Sequence, residues 1–212
     1  MSDIDEDIPD LLQRASNGDP AARDELFRRY RPRLKRMVRL RLNRLLQGRV
    51  DESDVVQESA LEAARVFDQY LAERPLPFYL WLRQIVGRRL IDIHRRHLGT
   101  RQRSVADEVS LHHGALPAAD SASLAAQLLG KLTSPSEAAT RAETRLRVQE
   151  ILNGMDPIDR EMLALRHFEQ MTNAEVAQTL GIGESAASSR YVRALRRLKD
   201  ELKRLPGLLF DI

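Results

Sequence analysis

The stretch from Asp156 to Arg204 constrains the fold of this chain more than any other, because its punctuation describes a helix, a tight turn and then a longer basic helix. Asp156 before Pro157 has the pattern of an N-cap with proline at the first helical position, where the missing N–H costs nothing. That helix is expected to run through Met162, Leu165 and Phe168. Thr172-Asn173-Ala174-Glu175 then has capping-box spacing, with hydroxyl and carboxylate each reaching an otherwise unpaired backbone N–H of a second helix. Val176, Ala177 and Leu180 give this helix one apolar face. Gly181 can adopt the positive φ that ends a helix sharply, Ile182 plugs the corner, and a third helix begins near Gly183.

Two short helices around a glycine turn, with charge on the one that follows, are the pattern of a helix-turn-helix. In the third helix Ala187, Tyr191, Ala194, Leu198 and Leu202 recur at helical spacing and are expected to pack inward. Glu184, Ser185, Ser188, Ser189, Arg193 and Arg196 then face out. Gly183 to Arg204 holds seven Lys or Arg against three Asp or Glu. Small hydroxyls near the helix start with arginines behind them suit insertion into a DNA major groove, with phosphate clamps on both sides. The plain alternative is a helical hairpin with a solvated basic face.

At 212 residues the chain can form one large or two small domains. With 5% aromatic and 31% charged residues and no cysteine, it reads as an all-α protein of a reducing compartment, without disulfides or thiolate metal sites. No apolar run reaches membrane-spanning length, so no membrane insertion is expected. The start from Met1 to Asp10, with five acidic residues and no basic one, is the opposite of a signal peptide. The expected location is the cytoplasm. The formal net charge of +3 conceals a strong segregation of charge along the chain.

Residues 1–10 read as an acidic tail. Leu11, Leu12 and Ala15 belong to a short helix ended by Asn17-Gly18, and Asp19-Pro20 caps a second that carries Ala22, Leu26, Phe27 and Tyr30. Arg28 to Arg49 has ten Lys or Arg and no acidic residue. Leu34, Val38, Leu42 and Leu45 keep helical spacing within it, which gives an amphipathic helix with a basic outer face. Ten like charges repel, so the face is either partnered by nearby carboxylates or meets nucleic acid or an acidic protein. Asp51 and Asp54 open a helix through Phe67, buried along Val55, Val56, Ala60, Ala63 and Phe67. Its other face, Asp54, Gln57, Glu58, Leu61 and Glu62, is acidic around an exposed leucine, which suits docking on a basic partner helix. After the Glu73 to Pro77 loop, Phe78, Trp81, Leu82, Ile85 and Val86 begin an apolar helix that grades into Arg88-Arg89, Asp92 and Arg95-Arg96. Such a helix can hold single-stranded DNA by pocketing bases while arginines hold phosphates, although Trp81 itself reads as core. His94 with His97, and His112-His113, have no Cys or carboxylate cluster to complete a metal shell, so no metal and no cofactor is expected. Ser104 to Thr133 reads as a linker with a short helix at Ser123 to Leu129, and Ser134-Pro135-Ser136-Glu137 restarts the order.

In sum, a helical front half, a linker and a helix-turn-helix back half resemble a bacterial sigma factor of the extracytoplasmic-function (ECF) group. In the front the resemblance rests on Asp19-Pro20-Ala21-Ala22 with Leu26-Phe27, on Asp54-Val55-Val56-Gln57-Glu58, and on Phe78 with Trp81-Leu82, Ile85-Val86, Asp92 and Arg95-Arg96. In the back it rests on Ser134-Pro135-Ser136-Glu137, Asp156-Pro157, Gly181-Ile182 and Ser189-Arg190 with Arg193-Ala194. It implies a polymerase- and −10-binding domain over residues 11–100, a flexible linker over 101–135, a −35-binding domain over 136–206 and a tail over 207–212. It implies that Asp54, Gln57, Glu58 and Leu61 contact core RNA polymerase, and that Arg88, Asp92, Arg95 and Arg96 lie in the promoter-opening helix. It further implies that Ser185, Ser188, Ser189, Arg190, Arg193 and Arg197 face the −35 duplex of promoter DNA. An anti-sigma factor or other regulatory partner is a further candidate. The chain departs from the usual pattern at Arg88, where Asn is common, at Gly183, where Ser caps, and at Ser188, often Lys or Arg.

The implied function is a non-enzymatic specificity subunit, with two cationic helical surfaces held apart by a slack tether. The first rival is a dimeric helix-turn-helix regulator acting without core polymerase, for which the sequence offers no self-complementary surface. The second is an enzyme such as a recombinase, for which it offers neither a nucleophile with its base nor a carboxylate constellation. The third is a protein-only adaptor whose basic faces serve an acidic partner.

Overall fold

The structure is a computed structural model that describes residues 7–43, 45–98, 116–130 and 138–205. Most of the acidic tail, the linker stretches around His112-His113 and Ser134-Pro135-Ser136-Glu137, and the tail after Leu205 lie outside the described residues. All regular structure among the described residues is helical.

In the front half, α1 (Ile8–Ser16) buries Ile8, Leu11 and Ala15. Asp19 then caps α2 (Pro20–Arg41), its carboxylate accepting the N–H groups of Ala21 at 2.9 Å and Ala22 at 3.2 Å. The sequence reading has the helix of Tyr30 and the basic helix after it as successive elements; they are one, running straight through Pro32. It also extends the apolar stripe to Leu45, which is 71% exposed. The backbone leaves the helix at Leu42 with ψ 119°, and the loss of helical phase hands the buried position to Leu46. Asp51 caps α3 (Glu52–Arg65) through the N–H of Ser53 at 2.6 Å. The helix expected to reach Phe67 breaks at Val66, and Phe67 starts a separate helix, α4 (Phe67–Glu73), which the sequence reading missed. Next, α5 (Phe78–Leu98) packs against α3 and α2. Phe27, Phe67, Tyr70 and Phe78 form an aromatic cluster at its start, with Trp81 half-buried and stacked on Tyr70 at 4.4 Å between centroids.

In the back half, α6 (Ser121–Gly130) and α7 (Ala138–Gly154) lie against each other. After α8 (Pro157–Leu163), one wide π turn over Ala164–Phe168 carries the chain to a corner at Glu169, with Gln170 at a positive φ of 57°. The motif closes with α9 (Asn173–Leu180) and α10 (Glu184–Lys203). The short helix expected at Ser123 to Leu129 is thus present as α6. It is no core-less tether, however, because Leu124 and Ala125 are fully buried against Leu40, Val148, Leu152, Leu163 and Ala194.

The halves are in contact rather than apart. Leu26, Tyr30 and Met37 of α2 share one buried apolar cluster with Met162, Leu165, Met171 and Val176 of the back half. The segment before α6 follows suit, since the Asp120 N–H donates to the Leu40 carbonyl at 2.8 Å.

Candidate nucleic-acid and partner interfaces

The helix-turn-helix forms by the local chemistry its sequence carries. Asp156 accepts the N–H groups of Ile158 at 2.9 Å and Asp159 at 3.2 Å. The capping box is complete: the Glu175 N–H donates to the Thr172 hydroxyl at 3.1 Å and the Thr172 N–H to the Glu175 carboxylate at 2.8 Å. Gly181 adopts φ 65°, which a side chain would resist. These features turn α10 so that Ala187, Ala194, Leu198 and Leu202 are buried and Tyr191 is half-buried.

On the outward face Ser185, Ser189 and Arg193 are exposed and Ser188 is half-exposed. Val192, one turn on from Ser188, is 51% exposed on this face. Helical spacing points to it; its apolar character hid it from a reading that sought polar contacts. Arg190 and Arg197 are held differently. Arg190 grips Asp159 at 2.7 Å and Asp156 at 2.8 Å, and Arg197 reaches the other oxygen of Asp159 at 3.0 Å. Partial burial pushes the Asp156 carboxyl up, but its two backbone N–H donors and Arg190 outweigh this and hold it below the usual range.

In the front half Asp54, Gln57, Glu58 and Leu61 recur at spacings of three and four residues and so share one face of α3. All four are exposed, Leu61 at 59%. On α5, Arg88, Asp92, Arg95 and Arg96 likewise share a face and are all exposed. An ion pair between Glu58 and Arg89 ties the two helices together, so the acidic face and the basic face are fixed relative to each other.

Six members of the ten-residue basic cluster fall into three groups. Arg28 and Arg29 pair with Glu25 within their own helix, and their hydrogen bonds lower its carboxyl to about 2. Arg39 pairs with Glu52 of α3, and Arg36 donates to the side-chain oxygen of Gln170 at 2.8 Å. Arg33 and Arg41 are buried, a place that sequence reasoning did not foresee for either. Arg41 pairs with both Glu161 and Glu169; Arg83 of α5 meets Glu169 at 2.9 Å and Glu161 at 3.8 Å; Arg33 pairs with Glu175 at 2.9 Å. The side chains of Arg41 and Glu169 are 0% exposed. Burial pushes the Glu169 carboxyl up, but the charges of Arg41 and Arg83 outweigh it and keep it ionised below the usual range. The guanidinium of Arg33 lies over the Tyr79 ring at 3.6 Å, and the Tyr79 hydroxyl donates to Glu169 at 3.4 Å. Every ion pair in this network joins residues 78 or more positions apart along the chain, so no local pattern announces it.

A family model described as ECF sigma factor matches residues 5–204. The chain belongs to the ECF sigma factor family. Among the relatives of this sigma factor, the ECF RNA polymerase sigma factor SigD of Mycobacterium tuberculosis is 28% identical over 192 residues, covering 91% of this chain and 82% of SigD. The RNA polymerase sigma-H factor of Pseudomonas aeruginosa is 25% identical over 196 residues, covering 92% and 93%. A solved structure of CnrH in complex with the cytosolic domain of CnrY overlaps 91% of this sigma factor and 95% of CnrH, with TM-score 0.51 and 22% identity, and so supports the fold. The family is a class of regulatory proteins rather than enzymes. No group of three or more His, Cys, Asp or Glu among the described residues could hold a metal, and no helix there is long and apolar enough to cross a membrane.

Proposed function

We propose that this sigma factor binds core RNA polymerase, directs it to specific promoters and assists their melting. The division of labour follows the two halves: residues 11–100 hold polymerase and the −10 element, residues 136–206 hold the −35 duplex, and 101–135 connect them. In the front, Asp54, Gln57, Glu58 and Leu61 dock on polymerase, with Leu61 as the apolar anchor inside a ring of carboxylate and amide. The basic face of Arg88, Arg95 and Arg96, with Asp92 among them, holds the opened strand by phosphate charge. In the back, Ser185, Ser188 and Ser189 offer hydroxyls to base edges, Val192 offers an apolar contact to a thymine methyl, and Arg193 holds phosphate. Arg190 and Arg197 reach DNA by exchanging Asp156 and Asp159 for phosphate.

The observation that carries this reading is the division of faces on α10, with Ala187 and Ala194 inside while Ser185, Ser189 and Arg193 stand in solvent behind a complete capping box. No bond is made or broken by the protein; melting is driven by capture of unstacked bases. Run-off transcription with core polymerase tests the proposal. The expected result is a discrete transcript that needs both core and this chain. A chain that binds DNA as a stable dimer and leaves core inactive would overturn it.

A further inference from the structure

Arg89 stands beside the strand-holding face of α5 without being part of it. It follows Arg88 and comes three positions before Asp92 and seven before Arg96, so it shares a side of the helix with both. It lies half-buried at the seam where α5 packs on α3, and there it pairs with Glu58, one of the four docking residues. The Arg89 side chain is 29% exposed and that of Glu58 52%, so both charges can be reached from solvent. The Nε of Arg89 is buried without a hydrogen-bond partner, and Glu58 holds the guanidinium through its Nη2 end.

The pair ties up one charge from each of two surfaces. A cation of a basic partner helix that takes Glu58, and a phosphate of an opened strand that takes Arg89, both need the same pair broken. Whichever binds first meets the cost of breaking it, and the second binds without that cost. Two ligands that share one cost favour each other by the same factor in either order. For an ion pair at the surface that factor is about two- to fivefold.

We propose that Arg89 is a further strand-holding residue, and that its pair with Glu58 couples polymerase docking to the grip on the opened strand. In the free chain the two charges satisfy each other. With core bound, Glu58 turns to polymerase and Arg89 joins Arg88, Arg95 and Arg96 on the phosphates. This inference rests on the docking and strand-holding roles given above.

The probe for the strand is a fluorescein-labelled oligothymidine, since a grip on phosphate needs no promoter sequence. Its binding to the full chain is read by anisotropy across a salt series. Glu58→Gln keeps the shape of the side chain and frees Arg89. It should raise strand affinity by about two- to fivefold and steepen the salt slope by about 0.7, the share of one phosphate contact on a single strand. In an R89A background the same change should give no gain. Glu62→Gln removes an equal charge one turn along α3, and whatever it does should be the same with and without Arg89. Immobilised core polymerase reads the other surface. R89A should bind core at least as tightly as the wild type, because Glu58 no longer has to be released, yet lose about fivefold in run-off transcription at saturating core. A pair that only props Glu58 in place would give the opposite sign, with R89A binding core more weakly. That result, a Glu58→Gln gain that persists without Arg89, or no gain at all would overturn the coupling. A wild-type chain that binds no core, although it folds, would instead overturn the polymerase reading, and this inference with it.

Discussion

Replacing Glu169 by glutamine keeps the shape of the side chain and removes its charge, which isolates the electrostatic part of the contact between the halves. The carboxylate is 0% exposed and faces Arg41, also 0% exposed, and Arg83, 6% exposed. Glu169→Gln leaves two buried guanidinium groups with Glu161 as their remaining carboxylate, and it points an amide N–H at one of two groups that are themselves donors. Breaking a buried pair from one side costs about 3–5 kcal/mol, because the stranded charge keeps its desolvation penalty. For a chain of this size about 1 kcal/mol shifts Tm by roughly 2–4 °C, so the expected drop is about 6–20 °C. Because the loss lies between the halves, the melt should also split into two transitions, with α1 to α5 and the back half unfolding separately. Differential scanning calorimetry reads both effects. The control is Glu25→Gln, which removes a half-exposed surface carboxylate paired with Arg28 and Arg29 inside one helix and should shift Tm far less than Glu169→Gln, without splitting the melt. A Glu169→Gln protein that loses less than about 1 kcal/mol and melts in one step would refute the argument that buried charge couples the halves.

Four further outcomes are expected. Arg193→Ala should weaken binding to every duplex by roughly 1 kcal/mol and reduce by about one a salt slope of roughly minus three to minus six, whereas Ser188→Ala should change preference among sequences; filter binding across a salt series distinguishes them. Arg190→Ala should lower Tm, since it strips a cation from Asp159, whose side chain is 6% exposed, and thermal melts check this. Glu58→Arg should weaken core binding and leave DNA binding by α10 intact, because it reverses charge on the α3 face and breaks the pair with Arg89; unchanged core affinity in a pull-down would remove the docking role. Stability should fall in acid. The folded values of Glu169 and Asp156 lie below their ordinary ones, so their contribution is complete above about pH 4.3 and 3.9 respectively and is lost as pH drops through the lowered values. Melts from pH 7 to pH 3 should show Tm declining below about pH 4, and a rising Tm there would contradict both assignments.

Much of this was legible in the sequence, because caps and turns are written in neighbouring residues. Asp19-Pro20, Asp156-Pro157, Thr172 with Glu175, and Gly181 each act within a few positions of themselves, and each does in the structure what its spacing predicts. Faces of helices were legible for the same reason, as with Ala187 and Ala194 against Ser185 and Ser189. Two kinds of feature were not. One is the exact place where a helix loses phase, as at Leu42 and Val66, where the choice between Leu45 and Leu46 depends on neighbours from other helices. The other is pairing across the chain. Arg33 and Arg41 look like members of a uniform basic run, and only the fold shows that Glu161, Glu169 and Glu175 meet them. Likewise Ser121 to Gly130 resembles a linker by composition, yet Leu40, Val148 and Ala194 provide it with a core.

The account stands on one chain serving two promoter sites from separate surfaces while α3 holds polymerase. The most direct test is a combined footprint of the reconstituted complex on a cognate promoter, with nuclease protection reporting duplex contact and permanganate reactivity reporting unpaired thymines. The predicted result is protection around −35 that is lost with Arg193→Ala, together with reactive thymines near −10 that appear only when core polymerase is present. Protection by the chain alone at two symmetric half-sites, with no reactive thymine when core is added, would contradict it.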